Sequence, residues 1–583
     1  MIVRTPVRLI VLGAVTAALG CAGATPSTTS SAQGSAAQTP TGGGGGTAPA
    51  TSGSSGGTMP AAPPQQPGVK GAPRIFYSDL VSGPNTGGEN GDGVFVTVYG
   101  NFFGAVQGSS TVTVGGGAVA SYPIWSDTKI AFQLGAAARS GTIVVHTGTG
   151  DSNGVPFTVR AGNIYFVATT GSDSAAGSFA APWGTLSHAV DTVQAGDTVY
   201  GMDGVVQSVE HNYTACLSIG TAGTAAMPIA LVAYPGATVK VGSPTLMGIR
   251  VPNVNVTGSY WVIAGLTITG QNEAISLGGN GAVGWRIVAN DCSCPGGTGL
   301  TGAVETSGAT YVSFFGNDVH GCGAGDTKYY HAVYFSTDSN HIECAWNHIH
   351  DNQANRSIQF HSSPLGGATG FNQYDLSVHD NVISGGLGDG INFATVDPSQ
   401  GKVEAYDNVI YRVGLGAPAA SQIFSLSAIY VAGITNNGSD GTGTVEVYDN
   451  TIYDVGSGLD PSGNVGSGGA FSRAAGASPG LSMRVRDNIV FCLANENYIV
   501  PGSDTTLITG SNNVLFGAGA APAFLTSSVG SDPLFISAAT FDFHLQAGSP
   551  AIAAGVATGI VTDLDGAPRP GGTRWDVGAY EGP

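Results

Sequence analysis

The sequence predicts an all-β chain in which a solenoid of short stacked strands follows a small β-sandwich. Glycine contributes 93 of the 583 residues and charged residues only 10%, a composition that supports turns and short strands better than helices. A motif of the form Val-x-Val-x-Asp-Asn-x-Ile recurs at intervals of 25 to 42 residues, which is the repeat length of a solenoid. Ahead of these repeats, strand-like runs separated by turn residues indicate the sandwich.

Each copy of the motif reads as two short strands joined by a turn at the asparagine. Apolar residues alternate before the asparagine, which is strand periodicity, and a second short apolar run follows it. Stacked copies would bury the Val and Ile columns. The asparagine can adopt a left-handed turn at low cost, and its amide can bond the asparagine of the next copy, which satisfies turn backbone that water cannot reach. Six clear copies are centred on Asn317, Asn347, Asn381, Asn408, Asn450 and Asn488, with weaker copies at Asn290 and Asn513.

The repeat resembles that of right-handed parallel β-helix proteins, an architecture shared by many polysaccharide lyases, glycan epimerases and pectin-type hydrolases. An array of β-sandwiches with Asn-rich turns is the alternative, and the short, regular repeat argues against it. We assign residues 163–540 to the β-helix, whose opening run resembles the first rungs of secreted β-helix proteins active on polysaccharide. Residues 186–193 are expected to form a short helix that caps the open end, because an uncovered rung is an exposed sheet edge.

The N-terminus predicts export. An apolar run follows Arg4 and Arg8, with the charge and length of a secretory signal. The Ala-Leu-Gly-Cys sequence that ends at Cys21 resembles a bacterial lipobox, although leucine usually stands one position earlier, and an ordinary secretion signal is the alternative. We expect residues 1–21 to be a lipoprotein signal peptide. Cys21 would then carry the lipid that anchors the exported protein in the outer membrane or at the cell surface.

Three further segments complete the organisation. Residues 22–72 are rich in Gly, Ser, Thr, Ala and Pro and are predicted to be a disordered linker. Residues 73–160 resemble an IPT/TIG immunoglobulin-like domain over nearly their whole length, which implies a spacer or binding module. Residues 541–583, with the run WDVGAYEGP, resemble the choice-of-anchor Q segment that follows many bacterial β-helices. We predict that it caps the helix. Turn and capping roles, rather than a metal site, are assigned to Asp563, Asp565 and Asp576.

Charge and cysteine content limit the partners. The formal net charge is −19, with 38 acidic and 19 basic residues, which argues against binding nucleic acid because phosphates need a basic surface. A polyanionic substrate would need a local basic groove.

An exported chain permits disulfides, and Cys294 with Cys322 is a conceivable pair between adjacent rungs, while the cysteine spacing does not resemble a zinc site. The expected partners are a polysaccharide and the outer membrane, and we expect a monomer.

A second set of strands can be aligned between the asparagine motifs. The Val, Ile and Phe residues of these strands share one parity and are predicted to point into the core. The opposite parity would form a contiguous polar and aromatic strip facing solvent, because adjacent rungs lie about 4.8 Å apart. The strip comprises Tyr334, Gln359, Asn392 and Tyr430, with Ser336 and His361 beside them.

Ionisable side chains crowd into residues 326–361, beside this strip. A β-elimination site needs a base at the sugar C5, a cation beside the uronate carboxylate and an acid for the leaving oxygen. Histidine or tyrosine can supply the base and the acid, and Arg, Lys or Ca²⁺ the cation, so Ca²⁺ is a candidate cofactor although no calcium cage is evident. The predicted catalytic residues are His331, Tyr334, Arg356, His361 and Lys328, and the predicted substrate-binding residues are Gln359, Asn392 and Tyr430.

Two functions are consistent with this pattern. The first is a lyase that cleaves an acidic, uronate-containing glycan by β-elimination, for which the residue types resemble those of alginate-type lyases and epimerases. The second is a non-catalytic surface glycan-binding protein or adhesin, with each histidine in a structural role. A pectin-type hydrolase is disfavoured because only Asp389 stands where a cluster of aspartates is needed. His331 and Arg356 share the inward parity, so catalysis requires the chain to bend where their strands begin.

Overall fold

The computed structural model describes residues 71–583, apart from 253–257, 279–280, 297–301, 325–328, 363–372, 417–424, 433–440, 461, 477 and 573. These residues form a β-sandwich followed by three long parallel sheets stacked as a β-helix, which confirms the predicted fold class. None of the described helices is long and apolar enough to cross a membrane. Within the described residues, helix is confined to the α-helix Leu186–Thr192 and the 3-10 turns Glu89–Gly91, Thr505–Leu507 and Ala538–Thr540.

The sandwich consists of two largely antiparallel sheets whose alternating apolar residues pack face to face. The four-stranded sheet contains, in spatial order, Arg74–Ser78, Phe95–Asn101, Lys129–Gln133 and Ser121–Trp125. The other sheet contains Ser82–Gly83, Val155–Val159, Gly141–Thr147, Thr111–Val114 and Gly117–Ala118, with Gly150–Asp151 paired to Gly141–Thr147.

Successive coils of the β-helix add strands to three parallel sheets, which we call the first, second and third sheets in the order that the chain meets them. The first sheet contains Ile164–Val167, Thr198–Gly201, Ile229–Ala233, Trp261–Ala264, Arg286–Val288, Thr310–Phe315, Asn340–Ala345, Leu376–His379, Val403–Tyr406, Gly443–Tyr448, Leu481–Arg486, Ile508–Ser511 and Leu525–Thr526. The second contains Val206–Gln207, Lys240–Gly242, Thr267–Thr269, Asp291–Ser293, Asp318–His320, His348–His350, Val382–Ser384, Val409–Tyr411, Thr451–Tyr453, Ile489–Phe491 and Val514–Phe516. The third contains Ala215–Ser218, Met247–Arg250, Glu273–Leu277, Gly302–Ser307, His331–Ser336, Arg356–His361, Asp389–Phe393, Ser427–Val431 and Gly469–Arg473.

A continuous ladder of buried asparagines occupies the turn between the first and second sheets. Each side-chain amide donates to the Oδ1 atom of the asparagine on the next coil at 2.8–3.1 Å, from Asn290 to Asn513. Asn381 and Asn408 are fully buried and bonded to neighbouring turns, as predicted. The left-handed conformation, however, belongs to the residue before each asparagine, such as Asp407 at φ 49°. That preceding residue makes the sharp bend and leaves the asparagine amide directed along the stack.

The interior of the β-helix is a single apolar core that runs along all three sheets. The predicted inward parity of the third sheet is confirmed, because Val333, Ile358 and Ile391 are fully buried in this core. Phenylalanine rings stack along the same direction, with centroids 5.1 Å apart for Phe335 and Phe360. The stacked columns explain why an apolar residue recurs at the same place in each coil.

The predicted cap at the start of the β-helix is present as the helix Leu186–Thr192. Its first turn is closed by Thr185, whose side chain accepts a hydrogen bond from the backbone N–H of His188 at 3.1 Å. Leu186 and Val190 bury their side chains in the core of the β-helix. The helix therefore covers the apolar end of the first coil.

The sandwich packs against the outer face of the first sheet. A shared apolar cluster joins sandwich residues such as Phe95 to first-sheet residues such as Tyr200, whose hydroxyl also donates to the Phe95 carbonyl at 2.8 Å. Arg286 reaches from the first sheet to the carbonyls of Ser78 and Asp79 at 2.5 and 3.1 Å. These apolar contacts and hydrogen bonds hold the sandwich against the first sheet of the β-helix.

The C-terminal segment packs along the outer face of the later second sheet. Arg569 is fully buried there, with its Nη2 atom 3.0 Å from Asp407 Oδ1 and its Nη1 atom 3.6 Å from Glu581 Oε1. Asp563 accepts the backbone N–H groups of residues 567 and 581, and Asp576 accepts those of residues 553 and 582. These backbone contacts are the turn role that the sequence predicts for Asp563 and Asp576, while capping of the helix by this segment stays a prediction.

The arrangement leaves the outer face of the third sheet outside both of these apolar contacts. Among the described residues, the sandwich makes its apolar contacts with the first sheet and the C-terminal segment with the second. Cys294 and Cys322 form a disulfide between adjacent coils, just past two second-sheet strands. The outer face of the third sheet is therefore where the predicted strip must be sought.

Candidate functional site

The predicted strip is in register on the outer face of the third sheet. Tyr334 pairs with Gln359, Gln359 with Asn392, and Asn392 with Tyr430 on consecutive strands. The line continues to Glu305 before Tyr334 and to Ser472 after Tyr430. The strands thus bring together residues that are far apart in the chain.

Most of this strip is covered rather than open. Tyr334, Gln359 and Asn392 expose only 5%, 6% and 1% of their surface, whereas Tyr430 and His361 are half-buried. The expectation that the strip faces solvent is therefore wrong for its central residues. The physical reason is that the side chains lie on one another: the Asn392 amide donates to Asp389 Oδ2 at 2.7 Å, and the His331 ring stacks on the Tyr334 ring at 4.3 Å.

The stacking of His331 on Tyr334 shows that the strand bends where it begins. In a regular strand, residues three apart point to opposite faces. The two rings nevertheless lie 4.3 Å apart and almost parallel, at 17°. The bend that the catalytic hypothesis requires is therefore present at His331, whose ring is buried against that of Tyr334.

The Tyr334 hydroxyl lies 3.3 Å from the Nδ1 atom of His361 on the adjacent strand. Burial raises the pKa of Tyr334, so its hydroxyl stays protonated at neutral pH and can act as a hydrogen-bond donor. The two groups form a pair of the kind that transfers protons. Tyrosine and histidine from two predicted catalytic positions are thus brought together by the register of two strands.

Arg356 stands next to a carboxylate. Its Nε atom lies 3.9 Å from Asp389 Oδ2, and the Arg356 side chain is 10% exposed while that of Asp389 is 0% exposed. Burial lowers the pKa of Arg356, and the charge of Asp389 offsets part of this effect. A substrate carboxylate would have to share the guanidinium with Asp389, which is the arrangement expected of a structural cation. Lys328, the other predicted cation, lies outside the described residues.

Acidic residues that the sequence reasoning missed extend the site toward the N-terminal coils. Glu273 and Glu305 lie on adjacent strands of the third sheet. Burial, followed by the neighbouring Glu273 carboxylate, raises the pKa of Glu305 to about 8. The sequence contained a signal for this position, because the run Ala303-Val-Glu-Thr-Ser matches Ala332-Val-Tyr-Phe-Ser at its alanine, valine and serine. Glu305 therefore holds its proton to a higher pH than an ordinary glutamate, beside Tyr334.

An open cavity of about 340 Å³ adjoins the other end of the strip. Hydroxyl groups are frequent in its walls, and Tyr430 and Ser472 bring the strip into it. A cavity of this size is near the lower end for a small-molecule site and holds about one or two sugar rings. The remaining lining residues include Ser425, Asp460, Ser467 and Ser503.

The residues that could hold a metal ion lie elsewhere. In the part of the chain that the structure describes, three His, Cys, Asp or Glu side chains approach closely enough to share an ion at Asp318, His348 and His350, on the second sheet. Ca²⁺ prefers six to eight oxygen ligands, so a group with two imidazoles does not suit it. Ca²⁺ at the strip stays a hypothesis.

Comparisons with known proteins agree with the fold. A family model described as the Pel9A-like right-handed β-helix region matches residues 165–311, and an IPT/TIG domain model matches residues 79–165. The first match supports the predicted right-handed coiling, and the second supports the predicted immunoglobulin-like domain. No curated protein matches the chain.

Several solved structures are similar at low identity. The pectate lyase Pel9A is 15% identical with a TM-score of 0.43, and the match covers 72% of this chain and 96% of that one. An alginate lyase from Paenibacillus sp. str. FPU-7 is 15% identical with a TM-score of 0.36, covering 59% of this chain and 95% of that one. A rhamnogalacturonan lyase is 15% identical with a TM-score of 0.33, covering 64% and 90%. Likeness at this level carries no information about chemistry, so any activity must be argued from this chain's own residues.

Proposed function

We propose that this protein is an exported enzyme that cleaves a uronate-containing polysaccharide by β-elimination on the outer face of the third sheet. The observation that carries the proposal is the Tyr334 hydroxyl 3.3 Å from His361 Nδ1. Arg356 lies close enough for its charge to act on Tyr334 and Tyr430. A candidate base and a candidate acid are thus gathered on one face, beside a cation that Asp389 already holds.

The proposed chemistry gives one proton transfer to each member of the Tyr334–His361 pair. His361 accepts the C5 proton of the uronate, and the protonated Tyr334 hydroxyl donates a proton to the leaving O4 oxygen. The C5–H and C4–O4 bonds break, a C4–C5 double bond forms, and one proton leaves Tyr334 as another joins His361. Arg356 would stabilise the negative charge that develops on the carboxylate only by releasing Asp389, which holds it in this structure.

Sugar binding is assigned to both ends of the strip. Tyr430 offers a ring and a hydroxyl at the mouth of the 340 Å³ cavity, whereas Gln359 and Asn392 lie in the covered centre of the strip and expose only 6% and 1% of their surface. Aromatic rings and hydroxyl groups together suit a sugar, which has apolar faces and polar edges. Glu305, next to Tyr334 in register, would hydrogen-bond the adjacent sugar.

Uronate polymers such as alginate and polygalacturonate provide the test, because β-elimination creates an unsaturated product that absorbs ultraviolet light. Tyr334→Phe and His361→Ala are expected to lower the rate at least roughly 100-fold, the usual contribution of a proton-transferring group. Tyr411→Phe is the matched control, since it removes a tyrosine hydroxyl from the second sheet. Full activity of Tyr334→Phe and His361→Ala on the best polymer would refute the assigned roles.

A non-catalytic glycan-binding protein is the second candidate. The observation in its favour is that Arg356 is held by Asp389 and the centre of the strip is buried, while the cavity at Tyr430 is open. If this reading is right, a uronate polymer retards the protein in affinity electrophoresis but yields no unsaturated product. Tyr430→Ala would then abolish retardation, and Tyr334→Phe would leave it unchanged.

Export and lipid attachment belong to the same proposal. The basic and apolar N-terminus and Cys21 support a lipid anchor, and both lie outside the described residues. A lipid-tethered enzyme of this kind would meet polymeric substrate outside the cell. The Cys21→Ser variant tests the anchor separately from the chemistry.

A further inference from the structure

The outer face of the second sheet carries a compact group of histidines and aspartates that the proposed function does not use. The strands Asp318–His320 and His348–His350 are parallel neighbours, with Asp318 opposite His348 and His320 opposite His350. Their central residues, Val319 and Ile349, are fully buried in the core. Strand alternation therefore sends the flanking side chains outward.

Three of these side chains converge on one point. The Asp318 Oδ1 atom lies 2.9 Å from His350 Nε2 and 3.2 Å from His348 Nδ1. All three possible ligand atoms lie within 4.8 Å of one another. Bond lengths to a tetrahedral Zn²⁺ are about 2.0–2.2 Å, which corresponds to separations of roughly 3.3 Å between ligands. The distances from Asp318 are close to that spacing before any ion enters.

A further contact orients His350. Its Nδ1 atom lies 2.9 Å from Asp351 Oδ2, so that its Nε2 atom is directed toward Asp318. A carboxylate on the far nitrogen of a histidine ligand is the usual outer-shell partner of a zinc site. The His320 ring stacks on the His350 ring at 5.6 Å and is itself bound to Asp291 at 2.9 Å. Two neighbours thus hold the ring in the orientation that ligation needs.

We propose that Asp318, His348 and His350 bind a divalent transition-metal ion, with Zn²⁺ as the best match to two imidazoles and one carboxylate. Imidazole ligands favour Zn²⁺ over Ca²⁺ and Mg²⁺, which take oxygen ligands. The side chains of Asp318 and His348 are about half exposed, at 50% and 51%, so a fourth position is open to water. The site is independent of the proposed polysaccharide chemistry, because it lies on a different sheet.

The location gives the ion a structural consequence. Cys294 and Cys322 link the coil of Asp291–Ser293 to the coil of Asp318–His320. The proposed ion would link that second coil to the next, at His348–His350. Three successive coils would then be joined by one covalent and one coordinate cross-link, and ion binding would raise the melting temperature of the protein.

The test uses the full chain without a polyhistidine tag, stripped with EDTA, desalted and titrated with ZnCl₂ in a calorimeter. The wild type is expected to bind about one Zn²⁺ at this site and to melt at a higher temperature with Zn²⁺ than with EDTA. His348→Ala and Asp318→Asn are expected to lower the affinity at least about tenfold, as loss of a ligand should exceed loss of an outer-shell partner. His146→Ala is the matched control, because this sandwich histidine has one aspartate partner, Asp151.

Two outcomes would overturn the proposal. One is a wild-type protein that takes up no Zn²⁺. The other is equal Zn²⁺ affinity in the wild type, His348→Ala and Asp318→Asn. Melting curves in EDTA separate a folding defect from a binding defect, since exposed His348 is expected to contribute little to stability without metal. Asp351→Asn removes the outer-shell partner of His350, so its loss of Zn²⁺ affinity is expected to be smaller than that of His348→Ala.

Discussion

The asparagine ladder makes a quantitative prediction at Asn408. Its Oδ1 atom accepts the Asn381 backbone N–H at 3.1 Å and the Asn381 side-chain amide at 2.9 Å. Its own amide donates to the Val378 carbonyl and to Asn450 Oδ1, both at 2.9 Å. Asn408→Ala therefore removes four hydrogen bonds from a site that water does not reach.

The loss of stability in Asn408→Ala can be estimated from the hydrogen bonds that each partner of Asn408 retains. The Asn381 side-chain amide still donates to the carbonyls of residues 344 and 379, and Asn450 Oδ1 still accepts the Asn408 backbone N–H. The Asn381 backbone N–H loses its acceptor. One orphaned buried donor costs roughly 1–3 kcal/mol, so Asn408→Ala should lower the free energy of unfolding by about that amount.

Thermal and urea unfolding of the full chain provide the assay. Asn464→Ala is the control, because this asparagine is exposed and its loss is expected to change stability by less than about 0.5 kcal/mol. Asn408→Asp is a sharper variant: its carboxylate would face two acceptor oxygens at 2.9 Å, so it should destabilise more than alanine. If Asn408→Ala unfolded at the wild-type midpoint, the ladder would not contribute as argued.

Three other predictions concern the anchor and two buried ionic groups. Cys21→Ser is expected to move the protein from the membrane fraction to the soluble fraction, and continued membrane association of a folded variant would count against the lipid. Arg569→Met leaves Asp407 and Glu581 buried without their cation, so it should lower the free energy of unfolding in urea by about 3–5 kcal/mol. Arg484→Met is the control: it breaks a half-exposed ion pair and should lower the free energy of unfolding by less than about 1 kcal/mol. Burial alone would lower the pKa of His379, but hydrogen bonds to Asp380 and Glu343 raise it to about 9. The stabilisation this gives is complete below about pH 6.5 and is lost as pH rises through 9, so the wild type should lose roughly 3 kcal/mol more than His379→Gln between pH 6 and pH 10. Parallel pH profiles of the two proteins would contradict that assignment.

Part of the candidate site followed from the sequence and part did not. Strand parity was sufficient to align Tyr334, Gln359, Asn392 and Tyr430, because parity and repeat depend on each strand alone. The burial of that strip could not be predicted from strand parity, since burial depends on which side chains lie over one another. The Arg356–Asp389 pair and the Tyr334–His361 contact arise between adjacent coils, where loops of different length set the register.

What the sequence by itself determined is the all-β class, the solenoid repeat, the buried asparagines and the inward apolar columns. Each of these is a local pattern repeated along the chain, and stacking makes the pattern cooperative. What only the tertiary structure decided is which polar groups meet. Asp318 reaches the two histidines 30 and 32 residues later, and Arg569 reaches Asp407 across 162 residues. Such contacts depend on how coils of unequal length superpose and on where the C-terminal segment folds back. A local sequence pattern predicts neither of these.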